Sequence, residues 1–219
     1  MSGDHTAFIS AVKRKLSGMF LVDRYPLNLY LSMLEEILLS LSARGSEYFY
    51  EEWKRMPEKE FIHLSQHYDL SSIEKVIVVG AGAVPFTALY FSRQLRKPVY
   101  AIERNPISYF ACLRLVRRLN ATGISVVKES GELYRGYENS LVVIVLHTRL
   151  KQHVLDKAMA GNSIVIVRVP LTENKRVFEG VNLEGAKHTT IEHTAPPMIS
   201  IFVANPAMLA HRAERELQR

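Results

Sequence analysis

The chain has 219 residues, 47% of them hydrophobic and 23% charged, the proportions of an ordinary globular protein with one α/β-sized domain and a modest extension. Its formal charge is +6, but the basic residues are dispersed in short clusters such as Lys13-Arg14-Lys15 and Arg117-Arg118, which read as solvated helix faces and make nucleic acid an unfavoured partner. Cys112 is the only cysteine, so an internal disulfide is excluded, a reducing compartment is expected, and the residue reads as a small buried hydrophobe.

The first residues, MSGDHTAFIS, lack the basic start and apolar run of a secretion signal. The uncharged stretch Val76 to Ser92 contains a glycine turn and Pro85 and falls short of the ~20 residues a spanning helix needs. A cytoplasmic location without a membrane partner is the expectation.

In chain order, the pattern begins helical. Leu27, Leu31, Leu34, Leu38 and Leu41 recur at three- and four-residue spacing and share one helix face. Glu47 to Arg55 and Glu58 to His67 read as two further short helices divided by Pro57, which starts the second by fixing φ in its first turn. The pattern changes near Ser71-Ser72, which divides a helical N-terminal extension, residues 1–72, from a second domain, residues 73–219. The extension carries too little apolar surface to stand alone and is expected to pack on the second domain.

Beyond Ser72, strands alternate with helices. Strands are predicted at Lys75–Val79, Val99–Ile102, Ile124–Val127, Leu141–Leu146 and Ser163–Val169, with helices at Pro85–Leu95, Pro106–Leu119 and Lys151–Ala160. Short Val- and Ile-rich runs separated by helices indicate a parallel sheet covered on both faces. Lys187–His193 and Ile199–Ala204 are joined by a connection of hairpin length, so the last two strands are predicted antiparallel. The whole reads as an α/β, Rossmann-like methyltransferase fold: a parallel sheet with a terminal antiparallel hairpin and a short N-terminal helical extension.

The stretch Lys75 to Thr87, KVIVVGAGAVPFT, carries the chemistry. A β-branched strand stops at Gly80-Ala81-Gly82, a helix opens at Pro85, and a second strand ends some twenty residues later in an acid, Glu103. This is the adenosyl-ribose half of a nucleotide-type site: the glycines let the backbone approach a ligand, and a strand-end carboxylate accepts from ribose hydroxyls. Two cofactors fit. A dinucleotide fold wants a third glycine where Pro85 stands, and proline removes an N–H a pyrophosphate would use; S-adenosyl-L-methionine has no phosphate and tolerates the change.

Other candidates come from strand order, since ligands in such sheets bind outside the carboxyl ends of the strands. Those ends carry Glu103-Arg104-Asn105, Glu129-Ser130-Gly131 and His147-Thr148. Glu129 reads either as an acceptor for an adenine amino group or as a solvated loop acid. His147 and Thr148 stand where a transferring carbon would lie, and His147 reads either as catalytic or as a strand-end polar residue satisfied by backbone. His188 and His193 have odd spacing and so lie on opposite faces of one strand, against a two-histidine metal site; no metal is expected.

Gly80-Ala-Gly-Ala-Val-Pro-Phe-Thr87 resembles the GSGPLPLTS motif of nicotianamine synthases, with Gly80, Gly82, Pro85 and Thr87 matching. Gly161-Asn-Ser-Ile-Val-Ile-Val-Arg-Val is similar to that family's small-turn, strand and arginine pattern, with Arg168 in the arginine's place. The resemblance covers Lys75 to about Gly180. It implies a Rossmann-like S-adenosylmethionine site roofed by N-terminal helices, and transfer of the cofactor's 3-amino-3-carboxypropyl group to a small-molecule amine. Family members carry a longer N-terminal helical domain that supplies a glutamate base and a tyrosine. Here Pro26, Asn28, Tyr30, Glu35 and Glu36 echo that segment loosely, at a longer spacing to Gly80. Tyr30, Glu35 and Glu36 are thereby the candidate acceptor-site residues, with solvated positions on an amphipathic helix as the competing reading.

Ordinary methyl transfer on the same fold and a non-catalytic cofactor-binding protein remain alternatives. A homodimer is an open expectation. The sequence does not specify the acceptor.

Overall fold

A computed structural model describes residues 53–170, 180–194 and 197–204, together with Glu47, Tyr50 and Glu51. The chain divides into two compact units, Met1–Glu35 and Glu36–Arg219, and every described residue belongs to the second. The elements are α1 (Arg55–His67), β1 (Lys75–Val79), α2 (Phe86–Leu95), β2 (Val99–Ile102), α3 (Pro106–Arg118), β3 (Ile124–Val127), β4 (Ser140–Ile144), α4 (Lys151–Ala160), β5 (Ile164–Pro170), β6 (His188–Thr194) and β7 (Pro197–Ala204). The leucine stripe of residues 27–41 lies outside the described residues.

The seven strands form one sheet in the order β3-β2-β1-β4-β5-β7-β6. β1 to β5 pair in parallel, while β7 pairs antiparallel with both β5 and β6. The expected parallel sheet with a terminal antiparallel hairpin is therefore present. Its last strand is also inserted between β5 and β6, which leaves β6 at the edge.

Burial tracks this order. The central strands β4 and β5 are buried along their whole lengths, and their sequences are nearly continuous apolar runs, as two covered faces require. β6, HTTIEHT, is exposed except at Ile191 and His193, and its polar side chains suit an edge that must not recruit another chain. One face of the sheet packs Leu64 of α1, Ala88 to Phe91 of α2 and Cys112 and Val116 of α3. The other packs Val154, Leu155 and Ala158 of α4.

Two helix starts differ in their physics. Asn105 caps α3, its Oδ1 accepting from the N–H groups of Ile107 and Ser108, with Pro106 in the first turn. α1 begins at Arg55, and the expected division at Pro57 is corrected: the break falls at Lys54, and Pro57 sits inside the first turn. Pro57 has no N–H to offer the turn before it, so helical hydrogen bonding is interrupted upstream of the ring, not at it.

α1 precedes the boundary expected at residue 72, yet Met56, Glu60 and Leu64 are buried. Among the described residues no helix is long and apolar enough to cross a membrane.

The carboxyl ends of the strands are held by close packing. A Cβ at Gly131 would run into Cγ1 of Val79 and lie 3.0 Å from Cγ2 of Val154. Gly131→Ala should therefore lower unfolding free energy by about 1–3 kcal/mol, the cost of overpacking a filled core. Urea denaturation checks this, and an unchanged midpoint would show that the strand ends have slack.

Candidate active site at the carboxyl ends of the sheet

β1 and β4 are neighbours, and the chain leaves them toward opposite sides of the sheet, so a crevice opens between their carboxyl ends. Gly80 and Gly82 line it with φ values of +82° and +71°. A side chain at Gly80 would also place its Cβ 2.7 Å from Thr148 Oγ1. Thr148 packs behind the turn and donates its hydroxyl to the Val79 carbonyl at 2.8 Å. Ala81 is buried, and its N–H and that of Gly80 both donate to the Ile102 carbonyl at the end of β2.

Glu103, one residue beyond β2, closes the crevice. Its Oε2 accepts from the Gly82 N–H at 2.9 Å and its Oε1 from the Asn105 N–H at 2.7 Å. A carboxylate has about four acceptor positions, so two remain for hydroxyl donors. The residue is 8% exposed. A vicinal diol against Glu103 with the adjoining chain over the glycine turn fits these residues. Arg104 is exposed, and the Asn105 side chain is taken up by the α3 cap. Glu129 and Ser130 are half-buried beyond β3.

Pro85 precedes α2 with φ −80° and ψ 57°, and the Phe86 N–H returns to the Val84 carbonyl at 2.8 Å. This inverse γ-turn delivers the chain from the glycines into the helix. No side chain caps α2.

His147 lies just past β4. The residue is exposed overall. Desolvation, and then the nearby Lys151 ammonium, hold its pKa below that of an ordinary histidine, so the ring is neutral at pH 7. Tyr30, Glu35 and Glu36 lie outside the described residues.

Sequence reasoning missed Glu60. It is fully buried on α1, and Arg168 on β5 is 1% exposed. Arg168 Nε donates to Glu60 Oε1 at 2.8 Å and Nη2 to Oε2 at 2.7 Å, a two-pronged ion pair. Arg168 Nη1 donates to Thr87 Oγ1 at 3.0 Å. Ser200 Oγ donates to Glu60 Oε1 at 2.6 Å and lies 2.9 Å from His193 Nε2. Thr87 and Arg168, matched separately by the two blocks of the resemblance, are thus hydrogen-bonded to each other. The missed signal was an acid in an apolar register: Met56, Glu60 and Leu64 share one stripe of α1.

Comparison with solved structures is consistent with this topology. A mutant of the nicotianamine synthase MtNAS matches with a TM-score of 0.66 at 16% identity, over 82% of this chain and 71% of that one. The complex of MtNAS with MTA and tNA matches at 0.65 and 16% identity, over the same shares. A methyltransferase from Pyrococcus furiosus matches at 0.51 and 16% identity, over 68% of this chain and 82% of that one. The chain shares the Rossmann-like fold of these structures. No protein-family model and no curated protein matches the sequence. Among the described residues no cluster of three His, Cys, Asp or Glu side chains could hold a metal ion.

The buried network has consequences for stability. Arg168→Met or Glu60→Leu alone should cost about 3–5 kcal/mol, because each leaves a buried charge uncompensated, and the double variant should cost less than either. Equilibrium urea titration measures the cycle; costs that simply add would show that the two side chains do not act as a pair.

His193 gives a pH dependence. Burial is the main influence holding its pKa below the ordinary value; Glu60 opposes this, while Arg168 and Lys59 reinforce it. The unfolded chain therefore binds a proton that the folded one refuses. Stability should be fullest above about pH 6.5 and fall as the pH drops from there toward the lowered folded value. His193→Gln should flatten that slope in urea midpoints measured between pH 5 and 7.5.

Proposed function

We propose that the chain is an S-adenosylmethionine-dependent transferase that moves the 3-amino-3-carboxypropyl group to a small-molecule amine, in the manner of nicotianamine synthase. The observation that carries the cofactor is Glu103: a strand-end carboxylate bonded across the crevice to Gly82, with acceptor positions left for a ribose diol. The fold shared with MtNAS, one structure of which is in complex with S-adenosylmethionine, supports the same reading.

The cofactor supplies a sulfonium leaving group, so the protein's work is positioning and exclusion of water. Gly80 to Gly82 let the backbone lie against the ligand, and Glu103 fixes the ribose. Neutral His147, just past β4, adds no positive charge at the strand ends, and suits orienting a donor better than taking a proton, since its lowered pKa makes it a weak base. The amine must be neutral to attack; Glu35 or Glu36 is the carboxylate we assign to take its proton, with Tyr30 orienting it. A cytoplasmic, soluble enzyme is the setting we propose.

Methyl transfer is the second reading, favoured by the likeness to the Pyrococcus methyltransferase. Calorimetry and product analysis test both. Glu103→Ala should weaken S-adenosylmethionine binding by about 1–3 kcal/mol, the cost of leaving polar partners unsatisfied. Unchanged affinity, or tight NAD binding by the wild type, would overturn the cofactor assignment. With an amine mixture, wild type should release methylthioadenosine; S-adenosylhomocysteine alone, with methyl label in the acceptor, would assign methyl transfer.

A further inference from the structure

Four Glu, Lys and Arg side chains are buried among the described residues: Glu60, Glu103, Lys151 and Arg168. All four gather at the carboxyl ends of the strands, and two acids against two bases make the set neutral. Lys151 Nζ donates to the Arg168 carbonyl at 2.9 Å. Arg168 is neutralised by the two-pronged contact with Glu60.

The sheet register fixes how near this charge lies to the glycine turn. Val79, Ile144 and Val167 stand in line across β1, β4 and β5. Gly80 and Arg168 come next on their strands, so they are level and two strand spacings, or about 10 Å, apart. The Arg168 side chain reaches Thr87 of α2, and its Cζ lies 5.9 Å from the ring of Phe86, the first helical residue after the turn. The guanidinium itself lies further along the side chain, at Glu60 and Thr87; two unit charges on the order of 10 Å apart, at an effective dielectric constant of about 20, alter a binding constant roughly tenfold, which sets the scale of the effect.

We propose that Glu60 is the counter-charge that lets the glycine turn accept a cationic cofactor: by cancelling Arg168, it allows a sulfonium to lie beside the turn without facing a bare guanidinium. The inference rests on the S-adenosylmethionine reading and deepens it. Glu60 acts through Arg168 and touches no reacting atom, so it is a positioning residue.

S-adenosylmethionine and S-adenosylhomocysteine separate the charge effect from a structural one, since they differ by one methyl group and one positive charge. Loosening the site weakens both alike, whereas an uncompensated guanidinium weakens only the sulfonium. The measurement is the dissociation constant of each ligand for the full chain by calorimetry, with thermal stability in parallel. Glu60→Gln should raise the ratio of the S-adenosylmethionine constant to the S-adenosylhomocysteine constant roughly tenfold. Glu60→Leu with Arg168→Met, which removes both charges, should return the ratio to that of wild type. Ser200→Ala, which removes a hydrogen bond to Glu60 from an uncharged donor, should lower thermal stability and leave the ratio unmoved.

Arg168→Met covers the case in which Glu60→Gln does not fold. This variant, which leaves Glu60 without its guanidinium, should shift the ratio the other way, toward S-adenosylmethionine. A ratio that stays at the wild-type value in both single variants, or in whichever one folds, overturns the inference while the cofactor reading stands. Wild type that binds neither ligand overturns both.

Discussion

The contact on which the arrangement depends is the buried ion pair between Glu60 and Arg168. Each charge alone would be costly to remove from water, and their attraction offsets that cost because both carboxylate oxygens are engaged and further hydrogen bonds are made around the pair. Ser200 takes one position on Glu60, and Thr87 takes one N–H of Arg168. The pair therefore ties α1, α2, β5 and β7 together at one point, with His193 of β6 hydrogen-bonding to Ser200. The inserted position of β7 makes this possible: Ser200 stands directly opposite Arg168 in the β5–β7 register.

A second constraint, Glu103, does for β1 and β2 what the ion pair does for α1 and β5. Its carboxylate spans from the glycine turn to the start of α3, so the two loops that form the crevice cannot move independently. Asn105 shows why so few residues suffice, since its N–H holds Glu103 while its side chain caps the next helix. The crevice is preorganised by short-range contacts among residues 80 to 105, and by Thr148, which supports the turn from behind.

Much of this was legible in the sequence because period and punctuation encode it. β1, β2, β3 and α4 fall where the predicted runs begin and end, since Gly, Pro and Asn mark their boundaries. The insertion of β7 was not legible. Hydrophobic alternation tells which segments are strands and which pairs are joined by a tight turn, but β6 and β7 pair identically whether or not β7 also reaches β5. The site divided along similar lines. Gly80, Gly82 and Glu103 were readable from spacing alone, while Arg168 was noticed only through a resemblance. Glu60 was passed over because an acid on an amphipathic helix reads as solvated unless its register with Met56 and Leu64 is checked. Two opposite charges, one in an apolar helix stripe and one in an apolar strand, are together a sequence signal for a buried pair that neither gives alone.

Stability does not explain why that pair is there. Well-packed apolar residues of similar volume hold elements together as well as a buried ion pair, and often better, because they incur no desolvation. Met56 and Leu64 already dock α1 by that route. The pair also brings a guanidinium within reach of Thr87 and over the ring of Phe86, where an uncompensated charge would matter most to a cationic ligand. What distinguishes the position is its distance from the glycine turn. A network that were only structural would be as useful at the other end of the sheet, where Ser140 and Ser163 bond to each other and to the Tyr137 carbonyl with neutral groups alone. The ionic network and the neutral one lie toward opposite ends of β5, and the ionic one is at the end that carries the crevice.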